Sequence, residues 1–342
     1  SRPCATHHSK FSSMNLSLSK KYDFDIDASV NTYAGELALP YVTAALLGAE
    51  TIAKGRCRFL EGIVGKTVIS GLTTTDTIQD GNAVGACDWQ DGSNVALSEQ
   101  VLNPAQLKVQ EEICRGTMYP TWIAANGRME RNGQLPVAWA DFLLGAVAER
   151  TGTNLETLLW QSSATAGLFG AGFLSDDGLI NEAGINASAC QGFTQVDTTG
   201  AFNAGNILAK LSLVFDGAQD TPAILGKPGC GFYISYEAYA FFLQAMATQN
   251  TGPGYNQSLE GATYLGYPVY PTSGIPNVVD VVVFTYPDNL VVGANSYTAD
   301  ISAGIIPTYL YDGSDNVRLS MFFAVGVQTA VAGDGVVGFN FA

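Results

Sequence analysis

The chain has 342 residues, of which 47% are hydrophobic and only 14% charged; that composition excludes a disordered or collagenous chain and describes a folded protein of two or three domains with unusually little surface charge. A chain of this length buries roughly three quarters of its unfolded surface, so its core needs no disulfide staples, and a low charged fraction marks surface destined to become interface. The net charge of −15 is uneven: residues 1–150 carry thirteen Lys and Arg against sixteen acids, a net of −3, whereas residues 151–342 carry Lys210, Lys227 and Arg318 against fifteen acids, a net of −12, which argues against direct recognition of nucleic-acid phosphates.

Residues 1–25 are polar, Ser-rich and without period, the pattern of an arm ordered only against a partner. The chain starts at Ser1 and not at Met, as a processed or trimmed product does, a cut leader and a trimmed end being equally good accounts. Asp23, Asp25 and Asp27 alternate with Phe24 and Ile26; a calcium loop wants Gly where Ala28 stands, so the alternation reads as a half-buried strand. Leu37 to Ile52 is expected to form a helix, with Pro40 near its start.

From Arg58 to Leu72 the sequence is rich in Ile, Val and Thr, with Phe59, Glu61, Ile63, Gly65, Thr67 and Ile69 on one side of a strand, and Val95 to Ile113 is expected to return beside it. Between them Asp76 to Asn94 holds the turn signals Asp80-Gly81 and Asp91-Gly92. So long a connection points to a functional, projecting hairpin arm. Phe59, Ile63, Lys66, Ile69, Leu107 and Val109 are the residues this reading places at a subunit contact, with the apolar ones serving as interface and not as core.

A main helix starts at Pro136 and places Ala140, Leu144, Val147, Leu155 and Leu158 in one stripe if it runs unbroken to about Gln161. Thr153 with Glu156 also fits a capping box, so a break near Gly152 stays open. Leu135 to Ala148, the longest near-apolar stretch, is interrupted by Asp141 and too short to cross a bilayer. Residues 164–205 read as surface loops. Two amphipathic helices follow: Ile207, Leu211 and Val214 line one, and Ser235 caps another with Tyr239, Phe242, Leu243 and Met246 inside. Phe232 to Ser235 between them is a short strand. Val278 to Phe284 is nearly continuous β-branched sequence, expected of a strand covered on both faces. Ile305–Tyr311 and Val317–Val331 flank the turn 312–316, a hairpin signal.

Chemistry was sought along the same path. Gly62 to Thr67 ends in Gly-Lys-Thr, but Leu60 stands where a phosphate loop needs Gly. His7 and His8 are the only histidines and sit in the polar arm, where no general base is held in place. Six cysteines, Cys4, Cys57, Cys87, Cys114, Cys190 and Cys230, have no Cys-x-x-Cys pairing and read as reduced or buried thiols, with disulfides left open. Paired acids such as Asp176 with Asp177, Glu111 with Glu112, or Asp312 with Asp315 are nominal carboxylate pairs in turn-like or exposed contexts. Tyr264, Tyr267, Tyr270 and Tyr286 lie among prolines and strands, where packing is commoner than sugar stacking. The expectation is therefore no catalytic residue, no metal and no cofactor.

The order of arm, long hairpin, helix and closing strands, with Gly266-Tyr267-Pro268-Val269 before a strand and Phe323-Ala324-Val325-Gly326-Val327-Gln328 near the end, resembles the major capsid proteins of tailed bacteriophages, the Hong Kong 97-type fold. The resemblance implies an α+β subunit with an N-terminal arm at 1–55, an extended hairpin loop at 56–112, a peripheral domain with a long spine helix at 113–165 and 299–342, and an axial domain at 166–298. It also implies a structural, non-enzymatic protein that assembles with itself as hexamers and pentamers of an icosahedral shell, in a virion built in the host bacterial cytoplasm. Such a shell encloses double-stranded DNA without sequence-specific binding, touches no membrane, and is joined by a portal and decoration proteins. Some relatives link subunits through Lys and Asn side chains, a role in which Lys66 and Asn340 are conceivable but which no local pattern supports. The same fold builds encapsulin compartments, from which the unpatterned arm differs, and a secreted β-rich adhesin or glycosidase is the reading from another class.

Overall fold

The computed structural model of the chain describes residues 31–34, 39–74, 95–114, 137–162, 172–174, 193–198, 200–220, 222–248, 261–277, 280–295, 302–308, 311, 313–314, 316–331 and 333–339. The arm at 1–25, the hairpin tip from Asp76 to Asn94, the pairs Asp176–Asp177 and Asp312–Asp315, and Asn340 lie outside the described residues.

β1 (Asn31–Ala34) precedes the helices α1 (Leu39–Leu47) and α2 (Glu50–Ala53). β2 (Arg58–Glu61), β3 (Thr67–Thr74), β4 (Val95–Leu102) and β5 (Ala105–Cys114) follow, and then the 25-residue helix α3 (Val137–Gln161). The remaining chain supplies β6 (Thr194–Asp197), α4 (Ile207–Gln219), α5 (Pro222–Leu225), β7 (Gly231–Ile234) and α6 (Tyr236–Thr248). It ends in β8 (Thr263–Tyr264), β9 (Tyr267–Pro271), β10 (Val281–Thr285), β11 (Leu290–Asn295), β12 (Ser302–Pro307), β13 (Asn316–Thr329) and β14 (Val336–Phe339).

These strands make two six-stranded sheets and one two-stranded ribbon. The first sheet runs β1-β12-β13-β11-β2, with β5 on the other side of β13. The second runs β6-β14-β10-β7-β9-β8, and β3 with β4 forms the ribbon. The long β13 holds the first sheet together because alternate residues Val317, Leu319, Met321, Phe323, Val325 and Val327 turn one face inward. Against that face lie Leu143, Leu144, Ala148, Leu155 and Leu159 of α3, all buried. α3 is unbroken across Gly152. Gly152 is required there by a close approach: a Cβ would stand 2.5 Å from the Cα of Gly48. The same contact falls where the expected helix from Leu37 to Ile52 divides into α1 and α2. Thr153 caps nothing; its hydroxyl bonds back to the Glu149 carbonyl at 3.3 Å.

In the second sheet β10 is buried along its whole length, as its β-branched run requires. Val281 and Val283 face the core shared with the first sheet, while Val282 and Phe284 face a second core built on α4 and α6. Ile207, Leu211 and Val214 of α4 and Tyr239 and Phe242 of α6 fill that second core, as their spacing indicates, and the Ser235 hydroxyl accepts from Ala238 N–H at 3.2 Å as the cap.

Three expectations need correction. The strand Arg58–Leu72 is two strands, β2 and β3, separated at Gly62, whose φ of 75° takes the chain out of the first sheet. The return segment is also two strands, parted at Asn103–Pro104, and β5 pairs with β13 rather than with the outgoing strand, in register from Asn316↔Cys114 to Val325↔Ala105. Residues 164–205 are not loop throughout: β6 pairs in parallel with β14, and Phe173 and Leu174 are buried beneath α3. The chain also passes between the sheets three times, from β5 to β6, from β10 to β11 and from β13 to β14, so neither 166–298 nor 299–342 coincides with one sheet.

Candidate subunit interface

The ribbon is where local sequence and global packing part company. Its strands run antiparallel in register from Thr67↔Leu102 to Thr74↔Val95, and eight residues per strand give it a reach of roughly 26 Å. Ile69 and Leu102 turn toward the subunit, where with Ile63 and Val291 they form a small separate core flanked by Leu60 and Ala330. Gly293 belongs to this contact: a Cβ there would meet Leu102 Cδ2 at 2.4 Å and Ile63 Cδ1 at 2.9 Å.

Among the described residues, nothing of the subunit's own core covers the opposite face. Val68 and Val101 are directly opposed across the strands, and Val68, Leu97 and Val101 are 54%, 61% and 49% exposed, with Val64 at the root 63% exposed. Sequence reasoning placed Phe59, Ile63, Ile69, Leu107 and Val109 at the contact, but each packs inside its own chain. Ile63 and Ile69 are buried at the ribbon root, Leu107 lies in the main core, and Phe59 and Val109 pack against that core. The physical reason is the pairing of β2 with β11 and of β5 with β13, which turns both segments into sheet strands beneath α3. Lys66, at the turn into the ribbon, is exposed.

A second open surface lies on the first sheet, on the face away from α3. Ile306, Ser320, Phe322 and Ala324 are half-buried there, bordered by an exposed ion pair in which Arg318 Nε donates to Glu112 Oε2 at 3.1 Å. Glu112 is thereby engaged, and also accepts from Asn316 Nδ2 at 2.7 Å. Hollows of about 290 and 460 Å³ flank Phe322, the first reaching Val64 and Pro104 at the ribbon root. A ribbon with an exposed apolar face and a sheet with a half-buried apolar face, in the same chain, are what a repeating contact between copies requires.

The junction between the two sheets is rigid and polar, a feature invisible in sequence because its partners lie over 100 residues apart. Glu156 of α3, buried, accepts from Thr51 N at 2.9 Å, Thr51 Oγ1 at 2.6 Å and Trp160 Nε1 at 3.1 Å. Burial, opposed by those bonds and reinforced by the charge of Glu50, raises the Glu156 carboxyl above its ordinary value. Glu50 is shifted the other way. Burial acts to raise it, but bonds from Tyr236, Lys54 and Ser273 together hold it below its ordinary value. Arg56, buried 4.9 Å above the Tyr270 ring, donates to the Pro271 carbonyl, and Tyr233 Oη donates to the Arg56 carbonyl at 3.0 Å. Lys54 and Arg56 thus serve the junction. Tyr264, Tyr267, Tyr270 and Tyr286 are packing residues as expected, stacked on Phe232, Phe215, Tyr233 and similar neighbours or bonded within the lobe.

The sequence matches no family model and no curated protein. Solved structures do share the fold. The chain is similar to the procapsid of satellite phage P4 that includes the size determination protein, with a TM-score of 0.53 at 12% identity over 97% of this chain and 100% of that one. It is similar to the capsid of the myovirus XM1, with a TM-score of 0.52 at 10% identity over 85% and 91%. A structure from Mycobacterium phage Che8 gives a TM-score of 0.50 at 10% identity over 81% and 85%. The fold is that of phage capsid subunits, a mixed α+β architecture.

Proposed function

We propose that this chain is the major capsid protein of a tailed bacteriophage, a Hong Kong 97-type subunit that assembles with itself into a closed icosahedral shell around double-stranded DNA. The observation that carries the reading is the pairing of two apolar surfaces in one chain: the exposed ribbon face of Val68, Leu97 and Val101, and the half-buried outer sheet face of Phe322, Ala324 and Ile306. An isolated two-stranded ribbon is marginal in water, so laying its apolar face across the neighbouring subunit's sheet orders the ribbon and covers the sheet together. In this reading the first sheet with α3 is the peripheral unit, the second sheet with α4 and α6 is the axial unit, and the chain is structural and not an enzyme. Portal and decoration proteins complete the virion, which is assembled in the bacterial cytoplasm.

Negative-stain microscopy and light scattering of the expressed protein test it. Closed shells are expected; a sharply monomeric mass at micromolar concentration, unchanged by crowding agents or scaffold, overturns the reading. Nucleic acid inside shells isolated from infected cells separates a genome container from an enzyme-holding compartment.

A further inference from the structure

Both legs of the ribbon are fastened where they leave the first sheet. On the outgoing leg, between β2 and β3, the Ile63 N–H donates to the Ala294 carbonyl of β11 at 3.2 Å, and the Ile63 side chain is buried with Ile69, Leu102 and Val291. On the return leg, Asn103 and Pro104 carry the chain from β4 into β5 close over Gly326 of β13. A Cβ on Gly326 would stand 2.9 Å from Pro104 Cα and 3.0 Å from the Asn103 carbonyl oxygen. Beside the legs, Gln328 Nε2 donates to Gln100 Oε1 at 3.1 Å and ties β4 to β13.

Gly326 does not act alone, because it pairs directly with Gly293 of β11. A Cβ on Gly293 would meet Leu102 Cδ2 at 2.4 Å and Ile63 Cδ1 at 2.9 Å. Directly opposed residues of an antiparallel pair project on the same face, so the two glycines open one slot on the face of the first sheet away from α3. Leu102, fully buried, and the Asn103–Pro104 backbone lie against it. Both glycines stand inside strands, where glycine weakens the ladder and marks a close backbone approach.

A ribbon hung on one joint would swing. This one is held at Ile63, at Asn103–Pro104 and at Gln100, so it cannot turn about its root without breaking a hydrogen bond or lifting Leu102 from the slot, and Pro104 stiffens the crossing by fixing its own φ. The far part of the ribbon, marginal alone, therefore meets a neighbour from a set direction, which lessens the ordering left to the contact. The lever is long. A Cβ at Gly326 must push the Asn103–Pro104 backbone back by about 0.5 Å to reach an ordinary contact distance; across a strand spacing of about 5 Å that turns the ribbon by roughly 6° and moves its far end by about 3 Å.

We propose that Gly293 and Gly326 are positioning residues for assembly: the slot they open fixes the pitch of the ribbon in the free subunit, and through it the angle between one copy and the next and the size of the closed shell. The inference rests on the shell reading above and deepens it, since it makes curvature a property of this chain's ribbon root as well as of the surface the ribbon reaches.

Hydrogen exchange of the unassembled wild-type subunit reads the mount before any shell forms. A peptide spanning Ile63 should exchange within about tenfold of one from β11, whereas exchange faster by about a hundredfold or more, as in an open loop, overturns the preset pitch. Negative-stain microscopy then compares shells of wild type, Gly326→Ala and Gln328→Ala. Gly326→Ala is expected to shift the diameter to another size class or to leave open sheets. Gln328→Ala removes the tie from a half-buried position and keeps the slot, so it should hold the wild-type mean and broaden the spread of diameters. Shells of wild-type diameter and spread from both variants overturn the slot as the determinant of size; if Gly326→Ala does not fold, Gln328→Ala alone decides. A wild-type chain that never forms shells overturns the shell reading, and the exchange measurement still decides whether the ribbon's pitch is set within the subunit.

Discussion

Truncating Glu156 to Ala gives the sharpest test of the junction. The change leaves the Thr51 N–H, now bonded to Oε2 at 2.9 Å, without a partner in a buried site, and removes the acceptor of the Thr51 hydroxyl at 2.6 Å. The Trp160 indole N–H keeps Thr51 Oγ1 at 2.9 Å. One orphaned buried donor costs about 1–3 kcal/mol and the vacated volume adds to it, so a loss of about 2–4 kcal/mol is expected. For a 342-residue chain, a loss of about 3 kcal/mol lowers the thermal midpoint by about 4 °C. The sign with pH follows from the raised carboxyl: the folded state holds its proton more tightly than the unfolded state. Its contribution is therefore complete below the ordinary value of 4.5 and is lost as pH rises through the folded value. The difference between wild type and Glu156→Ala should shrink as pH rises above 4.5. Glu156→Gln, which cannot ionise, should flatten the wild-type slope in that window. Guanidinium unfolding of the unassembled subunit, followed by the fluorescence of its four tryptophans, measures both. A difference that is constant, or that grows toward pH 8, would refute the account of Glu156 as a buried carboxyl kept near neutrality.

Glu50 has the opposite sign, so Glu50→Gln should remove a loss of stability seen as pH falls below 4.5, measured by the same unfolding curves. Replacing Val68 and Val101 together by Thr should change subunit stability little, because both are about half exposed, yet delay or prevent shell closure followed by light scattering. If the less acidic first half of one copy faces the acidic second half of the next, the assembly rate should change between low and moderate salt, since such contacts are screened over about 10 Å at 0.1 M; a rate indifferent to salt removes steering as the mechanism. Burial pushes the Cys57 and Cys230 thiols up to about 12, so at pH 8 peptide mapping after a thiol reagent should find the exposed Cys114 labelled and those two spared.

Where an element's own period decides its packing, the sequence was readable. The stripes on α4 and α6, the Ser235 cap, the doubly buried β10 and the β12–β13 hairpin all follow from residues within one or two turns of one another; on α3 the expected Leu144 and Leu155 are buried, but Val147 and Leu158 only border the core that Leu143, Ala148 and Leu159 fill. The breaks at Gly48, Gly62 and Pro104 were not, because each is set by a distant neighbour: Gly152 against α1, β11 beside β2, and β13 beside β5. The polar junction was hidden for the same reason. Glu156 carries a local signal with Thr153, and that signal pointed to a capping box, while its true partner Thr51 lies 105 residues away.

The contact residues show the limit most clearly. In β3, Val68 and Ile69 are adjacent and equally apolar, and alternation requires that one face in and the other out. A strand with polar residues on one side declares its inner face; a ribbon with apolar and polar residues mixed on both sides does not. Only the placement of Val291 and Gly293 beneath Ile69 and Leu102 settles which face belongs to the subunit. The face that remains, Val68 with Val101, is apolar and about half exposed without a local reason, a choice that makes sense if the free energy it lowers belongs to contacts between copies.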